Sequence, residues 1–114
     1  MDKQHKRQIA RQYKETRLQG GVYAICCTKN GKRLLLSTAD MAGSKNRFCF
    51  SQSTDSCVHP KLRQDWQQFG GAAFTFELIE TLTQKESQTD SDFQKEVVAL
   101  LDLLITQVAP EMRY

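Results

Sequence analysis

The feature that most constrains the fold is a short hairpin signal around residue 30. The β-prone residues 22–27 (VYAICC) precede the turn-forming tetrapeptide 29–32 (KNGK), and residues 34–38 (LLLST) follow it. Asn-Gly is the strongest two-residue hairpin signal, because both residues tolerate the positive φ of a tight turn between antiparallel strands. The sequence therefore predicts an antiparallel β-hairpin.

Capping residues and apolar periodicity predict the remaining elements. In the strand FTFEL (74–78), Phe74, Phe76 and Leu78 alternate with polar residues, which predicts one better-buried face. The predicted elements begin with a mostly exposed helix over 3–17, the hairpin and a helix over 41–52 capped by Asp40. A helix from His59-Pro60 through Leu62, Trp66 and Phe69 follows, and then a strand over 73–80. The last element is a long amphipathic helix that begins at a capping box, Ser91–Gln94, and stops before Pro110. The fold class is therefore α+β, with a small, mainly antiparallel three-stranded sheet flanked by helices.

Length and charge narrow the class of protein. A chain of 114 residues is one domain by the usual size prior. Residues 1–63 carry 13 Lys and Arg against 4 Asp and Glu, a net of +9, whereas residues 64–114 carry 3 against 9, a net of −6. The basic half suits a polyanionic partner, although solvated helix faces of different sign explain the asymmetry equally well.

The N-terminus has basic residues without an apolar segment behind them, so no secretory signal is expected. No apolar run approaches the roughly 18–20 residues of a membrane span. We therefore expect a cytoplasmic protein without a membrane partner. Of the four cysteines, Cys26 and Cys27 are adjacent and would point to opposite faces of a strand, and no CxxC pair is present. Small buried thiols are favoured over zinc ligands or a disulfide.

Several short segments together resemble the GIY-YIG nuclease domain, in particular its small stand-alone members. They are Gly21-Val22-Tyr23, the NGK turn, a strand that ends in a hydroxyl residue, and then N-R-F, H-P-K-L-x-x-D-W-x-x-F-G and F-x-F-E-L-I-E, in the family's order and spacing. The resemblance covers about residues 20–110. The chain is therefore divided into a basic N-terminal helix over 1–19, a GIY-YIG-like domain over 20–110 and a C-terminal tail over 111–114.

The resemblance implies metal-assisted hydrolysis of a DNA phosphodiester, with two tyrosines, an arginine at the scissile phosphate and a glutamate that holds a divalent cation. The first tyrosine is matched by Tyr23. The second motif falls on residues 34–36 (LLL), the arginine near Ser44, the histidine one turn later on Phe48, and the glutamate near Leu101. Arg47 could supply a guanidinium from a shifted position, and Glu96 or Asp102 a carboxylate.

The sequence therefore suggests two main functions and a third, weaker alternative. The first is a nucleic-acid-binding domain, for DNA by the resemblance, that has lost endonuclease activity. The second is a divergent endonuclease that uses Tyr23 and Arg47 with Mg²⁺ or Mn²⁺, and the third is a protein-interaction module. The predicted phosphate contacts are Lys32, Arg33, Lys45, Arg47, Lys61 and Arg63, with Lys6, Arg7, Arg11 and Lys14 on the N-terminal helix. Aromatic residues are sparse in the basic segments, so stacking on single-stranded bases is not expected. The nucleic acid's sequence and the oligomeric state stay open.

Overall fold

The computed structural model describes residues 17–114. Residues 3–16 of the predicted N-terminal helix, with its basic residues Lys6, Arg7, Arg11 and Lys14, lie outside the described part. The remaining elements occur in the predicted order. They are β1 (Gln19–Cys27), β2 (Arg33–Thr38), α1 (Met41–Thr54), α2 (Arg63–Phe69), β3 (Phe74–Thr83) and α3 (Asp90–Ile105).

The three strands form one antiparallel sheet in the order β2-β1-β3, which confirms the predicted fold class. The connection between β1 and β2 spans residues 28–32 and is longer than the two-residue turn that Asn-Gly favours. Gly31 alone among these residues has a positive φ, +74°. Asn30 instead uses its side-chain oxygen to accept from the Lys32 N–H at 2.9 Å, and Thr28 is held by the Ala73 carbonyl. The turn is therefore shaped by contacts with the approach to β3 as well as by its own residues.

Side chains of β1 alternate between two layers of the core. Ile25 and Cys27 face α1 and α2, where they pack with Phe48, Leu62 and Trp66. Val22 and Ala24 face the opposite way, and with Leu35 they pack against the half-buried leucines of α3. Each face of the sheet thus carries its own helices, and the two faces offer separate surfaces for function.

Helix starts follow the capping chemistry, with one exception. Asp40 accepts from the Gly43 N–H at 3.1 Å, as predicted, and α1 continues to Thr54, two residues beyond the predicted end. The His59 side chain accepts from the Lys61 N–H, but Pro60–Leu62 forms a 3-10 turn before α2 begins. The predicted capping box at Ser91–Gln94 is wrong.

The start of α3 is capped by Thr89 instead of Ser91. The Thr89 hydroxyl accepts from the Asp92 N–H at 3.1 Å, which places Ser91 within the first helical turn. Asp90 and Asp92 in that turn complement the positive end of the helix dipole.

The prediction that Leu78 lies on a well-buried face also needs correction. Leu78 pairs with Tyr23 across the sheet, on the face predicted, but it is 54% exposed. The reason is its position beyond Phe76 on an edge strand, next to a β-bulge that shifts the register between Val22 and Tyr23.

Candidate functional site

Tyr23 lies near the middle of β1, half-buried on the sheet face that α1 covers. Its ring stacks on Phe76, with ring centroids 4.7 Å apart and an interplanar angle of 17°. Across the hairpin its register partner is Leu36. The ring therefore lies between residues of the two neighbouring strands. The side chains of α1 that influence its hydroxyl are Ser44 and Arg47.

A chain of hydroxyl groups connects the end of β2 to Arg47. Ser44 is buried on α1, and its Oγ donates to Thr38 Oγ1 at 2.8 Å. Arg47 donates from a terminal guanidinium nitrogen to the same Ser44 Oγ at 3.0 Å. The Tyr23 phenol lies close enough to Ser44 and Arg47 for both side chains to lower its pKa. The structure thus brings the two predicted catalytic residues, Tyr23 and Arg47, to one serine.

Burial raises the pKa of Tyr23 above its usual value near 10, and the contacts with Ser44 and Arg47 oppose this rise only in part. The phenol is therefore neutral at physiological pH. Beside it, Ser44 accepts from Arg47 and donates to Thr38.

This pKa shift predicts how stability depends on pH. Because the folded-state pKa of Tyr23 is raised, its contribution to stability is present below the unfolded pKa near 10 and is lost as pH rises above it. We expect the free energy of unfolding to fall less between pH 8 and 11 in Tyr23→Phe than in the unmodified chain. Urea denaturation at both pH values measures this. Equal losses in the two proteins would contradict the assignment.

Apolar residues fill the other positions at which the resemblance expects catalytic groups. Leu36 faces Tyr23 from β2, and Phe48 is buried in the core at 3% exposure. Leu101 packs with Val22, Ala24 and Leu35 on the sheet face opposite to Tyr23. Leu101 has no donor atom for a cation, so the residues present do not fit the metal site that the resemblance implies. Within residues 17–114, no group of three or more His, Cys, Asp and Glu is arranged to hold a metal ion.

The two alternative carboxylates do not replace the missing ligand at Tyr23. Glu96 lies on α3 and accepts a hydrogen bond from the Gln88 side chain. Asp102 is exposed on the same helix, which packs against the other face of the sheet. The side chains that shift the pKa of Tyr23 are those of Ser44 and Arg47, and neither carboxylate is among them.

The predicted phosphate contacts divide between separate surfaces. Lys45 and Arg47 are exposed on α1, and Lys61 and Arg63 are exposed at the entry to α2. Lys32 lies 5.8 Å from the centroid of the Tyr114 ring, at the hairpin turn. Arg33 is paired with Glu77 beside Cys26, on the face that α3 covers. The structure therefore places Arg47 near Tyr23 and Arg33 on the opposite face of the sheet.

Sequence reasoning missed the roles of Thr38 and Ser44. The only signal for them was a hydroxyl residue at the end of β2 and another three residues before Arg47. That spacing put Ser44 and Arg47 on one helix face. The contact between Ser44 and Thr38 depends on how α1 crosses the sheet, which the sequence does not display.

The fold matches that of a known nuclease domain. The catalytic domain of the homing endonuclease I-TevI superposes with a TM-score of 0.60 at 17% sequence identity, covering 83% of this chain and 95% of that one. A point mutant of the same domain superposes with a TM-score of 0.57 at 17% identity, covering 79% of this chain and 84% of that one. No protein-family profile matches the sequence, and neither does any curated protein sequence.

None of the helices in residues 17–114 is long and apolar enough to cross a membrane.

The strand order, the flanking helices and the agreement with the I-TevI catalytic domain together identify the architecture, as the sequence resemblance predicted. This chain has a GIY-YIG-like fold.

Proposed function

We propose that the chain is a nucleic-acid-binding domain that holds DNA on a nuclease-like scaffold without cleaving it. One observation carries the proposal. Arg47 is hydrogen-bonded to Ser44 beside the Tyr23 phenol, while Leu36, Phe48 and Leu101 stand where the remaining catalytic groups are expected. A guanidinium anchored beside hydroxyl groups suits a phosphate, and the surrounding apolar residues supply neither a base nor a metal ligand.

The size of the missing contributions supports loss of cleavage. Removing one transition-state donor typically costs about 10²–10³ in rate. Removing the metal ligand also removes Lewis-acid assistance worth several kcal/mol. With both absent, turnover would fall towards the uncatalysed rate, whereas phosphate binding by Arg47 would persist because it needs no metal.

Arg47 is the residue best placed for a phosphate contact. It is exposed on α1, and one of its five N–H groups is used on Ser44, which fixes the side chain and leaves donors for a phosphate fork. Lys45 adds a second exposed charge two residues before it. Because phosphate contacts release counterions, binding should weaken steeply with salt.

The test is binding of a fluorescently labelled duplex at several salt concentrations, with Arg47→Ala and the matched control Lys95→Ala. Lys95 is an exposed cation on α3, on the other side of the sheet. Each phosphate contact contributes about 0.9 to the slope of log K against log salt. We expect Arg47→Ala to lower that slope by about one unit and Lys95→Ala to leave it unchanged. Absence of salt-dependent binding in the unmodified chain would refute the proposed function and favour a protein partner.

A further inference from the structure

A solvent-open hollow of about 550 Å³ lies beside the outer face of α1. Its lining residues are Asn46, Arg47, Phe50 and Ser51 of α1, and Cys57 and Val58 of the following loop. Its volume falls in the range of small-ligand clefts. None of the six lining residues is acidic, and Arg47 brings a positive charge to one side. The hollow therefore suits a ligand that combines an apolar surface with negative charge.

Phe50 presents an aromatic ring to this hollow. It is 68% exposed, whereas the core-facing residues of α1 are Met41, Ser44 and Phe48. A phenylalanine left largely in water forgoes the stabilisation that burial would provide. An exposed ring next to a cation is the arrangement with which proteins stack nucleic-acid bases.

The polar neighbours of Phe50 complement the edge and the backbone of a nucleotide. Asn46 and Arg47 precede Phe50 by four and three residues, so all three share one surface of the helix. The Asn46 amide offers donors and an acceptor together, as a base edge requires. Arg47 is held by Ser44 at 3.0 Å and keeps further N–H groups for a phosphate. Lys45 and Lys61, both exposed, stand just before and after the lining segments in the chain.

The geometry points to a binding site for an unpaired nucleotide, with its base stacked on Phe50, its base edge at Asn46 and its phosphate at Arg47. This inference rests on the proposed function and names the ligand class for it. Bases inside a duplex cannot present their faces to a side chain, so the site selects single-stranded or extruded nucleotides. The sequence argument against single-strand stacking overlooked Phe50, because the sequence alone did not show that its ring stays outside the core.

The experiment compares binding of a fluorescein-labelled single strand of about 12 nucleotides with the same sequence as a duplex, by anisotropy, using the full chain. DNA and RNA strands are both used, so that the source of the nucleotide is distinguished. The variants are Phe50→Ala and the control Leu103→Ala, since Leu103 is 64% exposed on α3. We expect the single strand to bind more tightly than the duplex. Phe50→Ala should weaken single-strand binding roughly 5- to 100-fold, with duplex binding and the Leu103→Ala control changed less than about twofold.

The possible failures are distinguishable. Unchanged single-strand binding in Phe50→Ala, or equal weakening of single strand and duplex, would overturn the nucleotide site while salt-dependent duplex binding kept the proposed function. Failure of the unmodified chain to bind any of these oligonucleotides would overturn both.

Discussion

Replacing Gly21 with alanine is expected to lower the free energy of unfolding by about 3 kcal/mol or more. Gly21 has φ +132°, a conformation that residues with a side chain rarely adopt. A Cβ there would also lie 2.1 Å from the Glu80 carbonyl oxygen and 3.0 Å from Thr81 Cα. Both neighbours are backbone atoms of β3. The steric clash could therefore be removed only if β1 and β3 moved apart next to the bulge. Urea denaturation measures the loss.

The matched control is Gly70→Ala. Gly70 also has a positive φ, +83°, but nothing lies within 4 Å of an added Cβ. That variant carries only the conformational cost of roughly 1–3 kcal/mol. Equal losses in the two variants would contradict this account, because they would show that the close approach of Gly21 to the β3 backbone adds nothing to the cost of the side chain.

Trp66→Ala should be comparably severe, at about 3–5 kcal/mol. Trp66 is 4% exposed on α2, and its ring stacks on Phe74 with centroids 4.9 Å apart. It also lies so close to Gly71 that a Cβ on that glycine would sit 2.6 Å from the indole. Truncation would leave a cavity between α2 and the sheet that this packing could close only in part. Thermal or urea unfolding reports the change.

Trp66→Phe serves as the control because it keeps most of the apolar surface. Among the described residues, no group accepts a hydrogen bond from the buried indole N–H. Phenylalanine removes that unsatisfied donor, which offsets part of the lost packing. We expect a loss well below that of the alanine variant. A Trp66→Ala protein as stable as the unmodified one would contradict the assignment of Trp66 to the core.

Local signals in the sequence identified much of the fold. The Asp40 cap, the apolar face formed by Leu62 and Trp66 and the strand from Phe74 depend on neighbouring residues, and the structure contains them. The resemblance to the GIY-YIG domain supplied the global arrangement. The Thr89 cap was missed because Ser91 offers an equally good pattern two residues later, and only the geometry of the chain entering the helix distinguishes them.

The candidate site was harder to predict because it depends on contacts between elements. Tyr23 and Arg47 were identified separately, but their connection through Ser44 is set by how α1 crosses the sheet. The β-bulge shifts the pairing of β3 with β1 between Leu78 and Glu80, and the alternation of Phe74, Phe76 and Leu78 did not predict it. Phe48 and Phe50 are two residues apart and chemically identical, yet one is in the core and the other in water.

The central claim is that this nuclease-like scaffold holds DNA without cutting it. The most direct measurement incubates supercoiled plasmid with the protein and Mg²⁺ or Mn²⁺, and follows nicking and the mobility shift in the same samples. We predict a shift that disappears at high salt, with the plasmid still supercoiled. Nicking above background that is abolished by Tyr23→Phe would contradict the account, because it would mean that Tyr23 and Arg47 support cleavage without the groups that Leu36 and Leu101 replace.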